Sequence, residues 1–264
     1  MTFPEEGKER LALDLCMSTV QQVVERSKLS EVTGADGGPF AVLTNERTGG
    51  EVGELRIWQG DGVIRKAVYA GIWAHVPGVI TLDSHMVFVF TAPDSGVPHF
   101  TLDSVERGDL DTHAFHLDLI PRVDLATHLP YIDEVFEPIL PSFEAGKSID
   151  GLSQAEIGPR QRALMSPYML AYRATPEAYR QLDDYVNAYY EQFLSLSEKG
   201  LSDETLAAIA DTDLPTRDAG NRALIFNAEV DRVWDHIVPL VGRSNSELIR
   251  RNLEFNELTT EVEA

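Results

Sequence analysis

Apolar residues recur along this chain with two different periods, and the change of period divides it. Leu11, Leu15, Thr19 and Val23, with Cys16 beside them, follow the i, i+4 spacing of an amphipathic helix, predicted over residues 5–28. Beyond it apolar and polar positions alternate. The runs AVLTN, GELRIWQ, VIRKAVYAGIW, VITLDSHMVFVF, VPHFTLDSV and HAFHLDLIP read as strands, divided by turn-rich stretches that include Gly60-Asp61-Gly62, the VPGV turn at residues 76–79, APDSG and ERGDLD. These connections are too short for helical crossovers, so the runs predict an antiparallel meander over about residues 40–121.

From Leu125 the period turns helical. LPYIDEVFEPIL, AEIGPRQRALM, PEAYRQLDDYVNAYYEQFLSL, SDETLAAIA and NRALIFNAEVDRVWDHIVPL each predict a helix, within a mainly helical part spanning residues 126–255. SPYMLAYRA, residues 166–174, interrupts them as one more strand, and the tail TTEVEA is expected to fray. Strands first and helices afterwards indicate an α+β fold in which helices cover an antiparallel sheet, and the length of 264 residues suits a single domain, 1–264.

Composition narrows the functional classes. A net charge of -21 argues against nucleic acid and anionic membranes as partners, because both require a basic surface. The single cysteine, Cys16, excludes an internal disulfide and any cysteine-built metal site, which fits a reducing compartment. Met1 to Arg10 is acidic and polar, unlike a signal peptide, and no apolar run approaches a membrane span, so a cytoplasmic protein is expected. Glycine-rich nucleotide motifs, the serine-hydrolase elbow and the zincin motif do not occur. His113 and His116 stand three apart, which strand parity sends to opposite faces, so no metal site is predicted.

The candidate chemistry lies in polar residues set into apolar strands: Asp83, His85, Asp103, His116 and Asp118. A carboxyl on a covered sheet face loses hydration, and its pKa rises toward values useful for delivering protons near neutrality. Asp103 in FTLDSV fits this best; its alternative is an aspartate on a solvated strand face. Asp118, followed by Pro121-Arg122, fits a structural strand-end role, and His85 is either a proton donor or a satisfied core histidine.

The run Asp118-Leu119, Pro121-Arg122, Asp124-Leu125 and Pro130-Tyr131 resembles the red chlorophyll catabolite reductases, a branch of the ferredoxin-dependent bilin reductase superfamily. PHFTLD is similar to the strand that carries the family's catalytic acid, MSPYMLAYRA to its V-S-P strand, and RDAGNRALIFNAEVDRVW to its C-terminal helical region. The resemblance spans the chain from the Gly60 hairpin to about Gly242. It implies a three-layer α/β/α sandwich with a central antiparallel sheet, holding a linear tetrapyrrole between the sheet and the C-terminal helices. It also implies no bound cofactor, single electrons from reduced ferredoxin, and protons from carboxyl side chains; homodimers occur in the family.

Carried over residue by residue, the resemblance implies Asp103 as the sheet acid, Asp218 as the second catalytic aspartate and His85 as a weaker third, one residue out of the family's spacing. Arg122 or Arg222 is the candidate for pairing a propionate, and His116 is placed with them on the substrate side. An acidic ferredoxin requires a local basic patch, for which Arg160, Arg162, Arg173 and Arg180, or Arg243, Arg250 and Arg251, are candidates. The competing expectation is a non-catalytic binder of a tetrapyrrole or another flat apolar ligand.

Overall fold

A computed structural model describes residues 9–76 and 80–262. The expected first helix is α1 (Leu11–Ser27), ending at Lys28 in the left-handed conformation. Its predicted start at residues 5–8 lies outside the described residues, as do positions 77–79 of the VPGV turn. The strands follow as β1 (Ser30–Val32), β2 (Ala41–Thr44), β3 (Glu51–Gln59), β4 (Ile64–Val76), β5 (Ile80–Thr91), β6 (His99–Arg107) and β7 (Thr112–Ile120). The second part of the chain holds α2 (Leu129–Val135), α3 (Leu140–Gly146), β8 (Leu152–Gln154), α4 (Pro159–Arg162), β9 (Leu170–Ala174), α5 (Pro176–Tyr179), α6 (Asp183–Lys199), α7 (Asp203–Ala208), α8 (Leu214–Ile225), α9 (Val233–Val241) and α10 (Arg243–Glu254).

The strands form one antiparallel sheet in the order β1-β3-β4-β5-β6-β7-β9-β8, with β2 also paired to β3. Because successive side chains alternate between faces, the register decides which residues can meet. On one face Tyr69, Val87, Leu102, Phe115 and Leu117 pack against Leu15, Cys16, Val20 and Val23 of α1 and Val186, Tyr189 and Phe193 of α6. On the other, Leu55, Ile57, Val68, Phe88 and Phe90 pack against Ile225 and Phe226 of α8, Trp234 and Ile237 of α9, and Ile249 and Leu253 of α10. Two apolar layers on one sheet give the α/β/α sandwich, each fully buried large side chain contributing about 1.5–3 kcal/mol.

Four predicted helices come out differently; LPYIDEVFEPIL ends as α2 at Val135 and is followed by a 3-10 turn over Glu137–Ile139 before α3. AEIGPRQRALM forms only the single turn α4, because Gly158 and Pro159 start it afresh and Ala155 instead donates its N–H to the Ala171 carbonyl beside β9. PEAYRQLDDYVNAYYEQFLSL divides into α5 and α6 at Arg180–Leu182. NRALIFNAEVDRVWDHIVPL breaks into α8 and α9: the Asn227 side chain accepts the Glu229 N–H at 2.8 Å and Asp231 accepts the Val233 N–H at 3.0 Å. Such side-chain acceptors compete with the helical carbonyls and turn the chain. The tail is not loose over its described length, since Asn252 bonds both the N–H and the carbonyl of Thr259, and Val262 packs on the second core.

Gly53 marks the closest approach of two strands: a Cβ there would lie 2.2 Å from the Gly71 carbonyl oxygen of β4. Gly53→Ala should therefore lower the unfolding free energy by about 1–3 kcal/mol. Gly62→Ala, where a Cβ meets nothing within 4 Å, should change it by less than about 0.5 kcal/mol. Urea titration of both variants measures the contrast.

Candidate active site

The sheet face covered by the C-terminal helices opens into a cavity of about 340 Å³, within the range of small-molecule sites. Its floor is Met86 and Phe88 of β5, Asp103 and Val105 of β6, Ala114 and His116 of β7, and Ala171 of β9. Its roof is Met165, Ile225, Phe226, Asp231, Val233 and Trp234, and Ala155 to Ile157 close one side. The site is thus a mainly apolar slot with a few acid-base groups.

Register brings the first two of these groups together. Asp103 and His116 are direct partners across the β6–β7 ladder, with Asp103 Oδ2 3.6 Å from His116 Nδ1. Burial works against a charge on His116, but the carboxylates of Asp103, Asp118 and Asp231 outweigh it and raise its pKa above the ordinary value. The third group, Asp231, comes from the break between α8 and α9. Burial raises its pKa, and the nearby charge of Asp103 adds to that while the Val233 N–H opposes it. Among the described residues, the buried side-chain atoms without a hydrogen-bond partner include His116 Nε2, Asp103 Oδ1 and Trp234 Nε1 of the cavity lining, as well as His85 Nε2, Thr101 Oγ1 and Arg217 Nε. Buried polar atoms normally find partners, so the three in the lining suit a ligand with polar atoms of its own. Among the described residues, no lysine or arginine lines the cavity.

Asp231 was missed by sequence reasoning, which placed it inside a helix. The available signal was Asn227 and Asp231 themselves, each two residues before a backbone N–H that it can accept.

The other expected site side chains point elsewhere, although the His85 position itself borders the cavity. His85 pairs with Ser104 of β6 and faces the α1 side, opposite Asp103. Its Nδ1 is 2.8 Å from the Tyr69 hydroxyl and its Nε2 3.0 Å from Asp83, which Arg10 also holds at 2.6 Å. Despite burial, these hydrogen bonds from His85 and Arg10 bring the Asp83 carboxyl down to about 2. The His85 ring is therefore a core group set between Tyr69 and Asp83, as parity without a bulge requires.

Asp218 does face the sheet from α8, but within an ion cluster rather than the cavity. It accepts from His99 Nε2 at 2.8 Å and lies 3.2 Å from Arg122 and 3.9 Å from Arg222. Burial favours its protonation, yet His99 and the two guanidinium groups hold the carboxyl below its usual range. Arg122 donates to Thr91 Oγ1 at 2.6 Å, to the Ala92 carbonyl at 3.3 Å and to the Pro93 carbonyl at 2.9 Å. Arg222 donates to the carbonyls of Leu253 and Phe255 and to Asn256, and stacks over Phe90. Both guanidinium groups are thus engaged in holding loops and the end of α10, not in reaching a propionate.

Of the candidate basic patches, Arg180 is held by Glu9, Arg250 and Arg251 by Glu247, and Arg160 by the Glu229 carbonyl. Among the described residues there is no cluster of three metal-ligating side chains, and no helix is long and apolar enough to cross a membrane.

No family model and no curated protein matches the chain. Among solved structures, the selenomethionine form of phytochromobilin synthase from tomato in complex with biliverdin is similar: it superposes with a TM-score of 0.67 at 17% identity, covering 92% of this chain and 82% of that one. The large antiparallel sheet with flanking helices is thus the fold that this chain shares with that synthase.

Two variants test these assignments. Asp218→Asn leaves two buried arginines uncompensated and should cost about 3–5 kcal/mol of stability in urea unfolding; loss of function at unchanged stability would return Asp218 to chemistry. Burial pushes the Asp118 carboxyl up to about 7. Its pKa when folded lies above its ordinary value, so the folded state holds an extra proton, and stability from this group falls as pH rises from about 4 to about 7. Asp118→Asn removes that dependence, so the stability of the variant relative to wild type should improve between pH 5 and pH 8.

Proposed function

We propose that this protein reduces a linear tetrapyrrole, taking single electrons from reduced ferredoxin and supplying protons from the cavity. One observation carries the reading: Asp103, His116 and Asp231 converge in an apolar slot between the sheet and the C-terminal helices, in the fold of an enzyme solved with biliverdin. Asp103 and His116 rise from the floor and Asp231 comes from the roof. A flat pigment between them meets acid groups at both faces.

The chemistry follows from these positions. Each electron entering the conjugated system raises its basicity, and a proton from the adjacent acid traps the added charge; two electrons and two protons saturate one double bond. His116, whose pKa its carboxylate neighbours raise against the effect of burial, and Asp103 act on the sheet side, while Asp231 acts from the other side. With no arginine or lysine in the lining, the pyrrole N–H groups are the parts of the substrate that suit the carboxylates. The sequence resemblance to the red chlorophyll catabolite reductases supports this reading.

Anaerobic incubation with reduced ferredoxin and biliverdin or red chlorophyll catabolite should shift the pigment band, with a transient radical signal by electron paramagnetic resonance. Asp103→Asn and Asp231→Asn should bind pigment within about twofold of wild type and lose about 10²–10⁴ in turnover. Pigment bound tightly but never reduced would make the protein a carrier, and unchanged spectra with both pigments would remove the tetrapyrrole reading.

A further inference from the structure

A second cleft, of about 430 Å³, lies beside the slot. Met165 borders both, so a flexible thioether side chain is the partition between them. Residues from 121–125, after β7, form one wall of the cleft, residues from 163–167, before β9, a second, and α8 the third. The α8 wall is Arg217, Gly220, Asn221 and Leu224, whose spacing of three and four residues puts them on one face of the helix.

Arg217 is the cation of this cleft. Its Nη2 donates to the Val123 carbonyl at 2.8 Å, which sets the guanidinium against the first wall. Its Nε is buried without a hydrogen-bond partner, and among the described residues no carboxylate pairs with it. The neighbouring arginines do not relieve it. Arg122 and Arg222 share the single carboxylate of Asp218, and Arg217 lies near enough to Arg122 for their charges to repel. Three guanidinium groups thus meet one carboxylate, a local positive excess in a chain of net charge -21. An added anion at Arg217 would fill its open donors and offset that repulsion. Asp124 also borders the cleft, but it is exposed and its Oδ1 accepts the Ala126 N–H within its own turn.

The remaining lining sets the form of the anion. Asn221 stands one helical turn from Arg217, and its amide makes no side-chain hydrogen bond among the described residues. At Gly220 a Cβ would meet nothing within 4 Å, and Leu224 is left 49% exposed. A guanidinium and an amide beside Leu125, Pro167 and Leu224 suit a carboxylate carried on a short apolar stem.

We propose that this cleft binds such a carboxylate, with Arg217 pairing it and Asn221 donating to its second oxygen. Two sources share the chemistry: a side chain of the ligand in the slot, reaching past Met165, and a separate small acid. The first rests on the reductase reading above and gives a tetrapyrrole propionate the cation that the slot lacks; the site itself does not depend on that reading.

Two measurements on the full-length chain test the proposal. The first needs no pigment. In a nitrogen-15 NMR spectrum the Nε–H resonance of Arg217, assigned by its loss in Arg217→Gln, should shift on addition of 3-phenylpropionate and stay in place with the methyl ester of that acid. A resonance unmoved by the acid, or moved equally by both, overturns the carboxylate site. The second compares binding of biliverdin and its dimethyl ester by pigment absorbance. With the substrate as the source, wild type binds the free acid about tenfold or more tighter than the ester. Arg217→Gln removes that preference at unchanged ester affinity, and Arg217→Lys, which keeps the charge, restores part of it. A preference that survives in Arg217→Gln overturns the substrate as the source. If wild type binds neither pigment, the tetrapyrrole reading fails by itself, and the response to 3-phenylpropionate still decides the cleft.

Discussion

Everything in this molecule hangs on the two-residue alternation of one continuous antiparallel ladder. From β3 to β7 the pairs run without a slip that would exchange the faces of β5, β6 and β7. That alternation alone sets Met86, Asp103 and His116 under the C-terminal helices and turns His85, Ser104 and Phe115 toward α1. A shift of one residue would exchange the two sets and bring a neutral core into the place of the acid-base pair.

The polar groups the ladder buries are handled in two ways. Asp83 and Asp218 are surrounded by cations and histidines until their charges are fully matched, and they behave as fastenings: Asp83 ties the start of α1 to the sheet, and Asp218 joins α8 to β6 and to the loop after β7. Asp103 and His116 are left with unfilled hydrogen-bonding capacity around an apolar slot that Asp231 also lines. A fully matched buried charge stabilises a geometry and offers a substrate nothing, whereas an incompletely matched one is costly alone and useful with a ligand present.

The strands were legible because alternation and turn chemistry are local properties of the sequence, and the face shared by His116 and Asp118 followed directly from their spacing. The parity conflict between His85 and Asp103 was legible for the same reason. The second acid was not. Asp231 sits in a stretch whose apolar spacing is helical throughout, and only the acceptor geometry of Asn227 and Asp231 breaks it. Asp218 looked chemical because a helix-borne aspartate shows nothing of its partners, and His99 and Arg122 approach from distant strands and loops. Long-range pairing of charges has no periodic signature.

The break between α8 and α9 also bears on the order in which the molecule assembles. The meander is made of sequential hairpins and has its pairing partners close at hand, so it can form while the rest of the chain is still being synthesised. Asp231 and the α8–α9 part of the roof emerge more than a hundred residues after Asp103. The nascent sheet therefore spends an interval with a greasy, acid-bearing face open to solvent. The slot closes late in this order, and a ribosome-bound intermediate would present that face to chaperones.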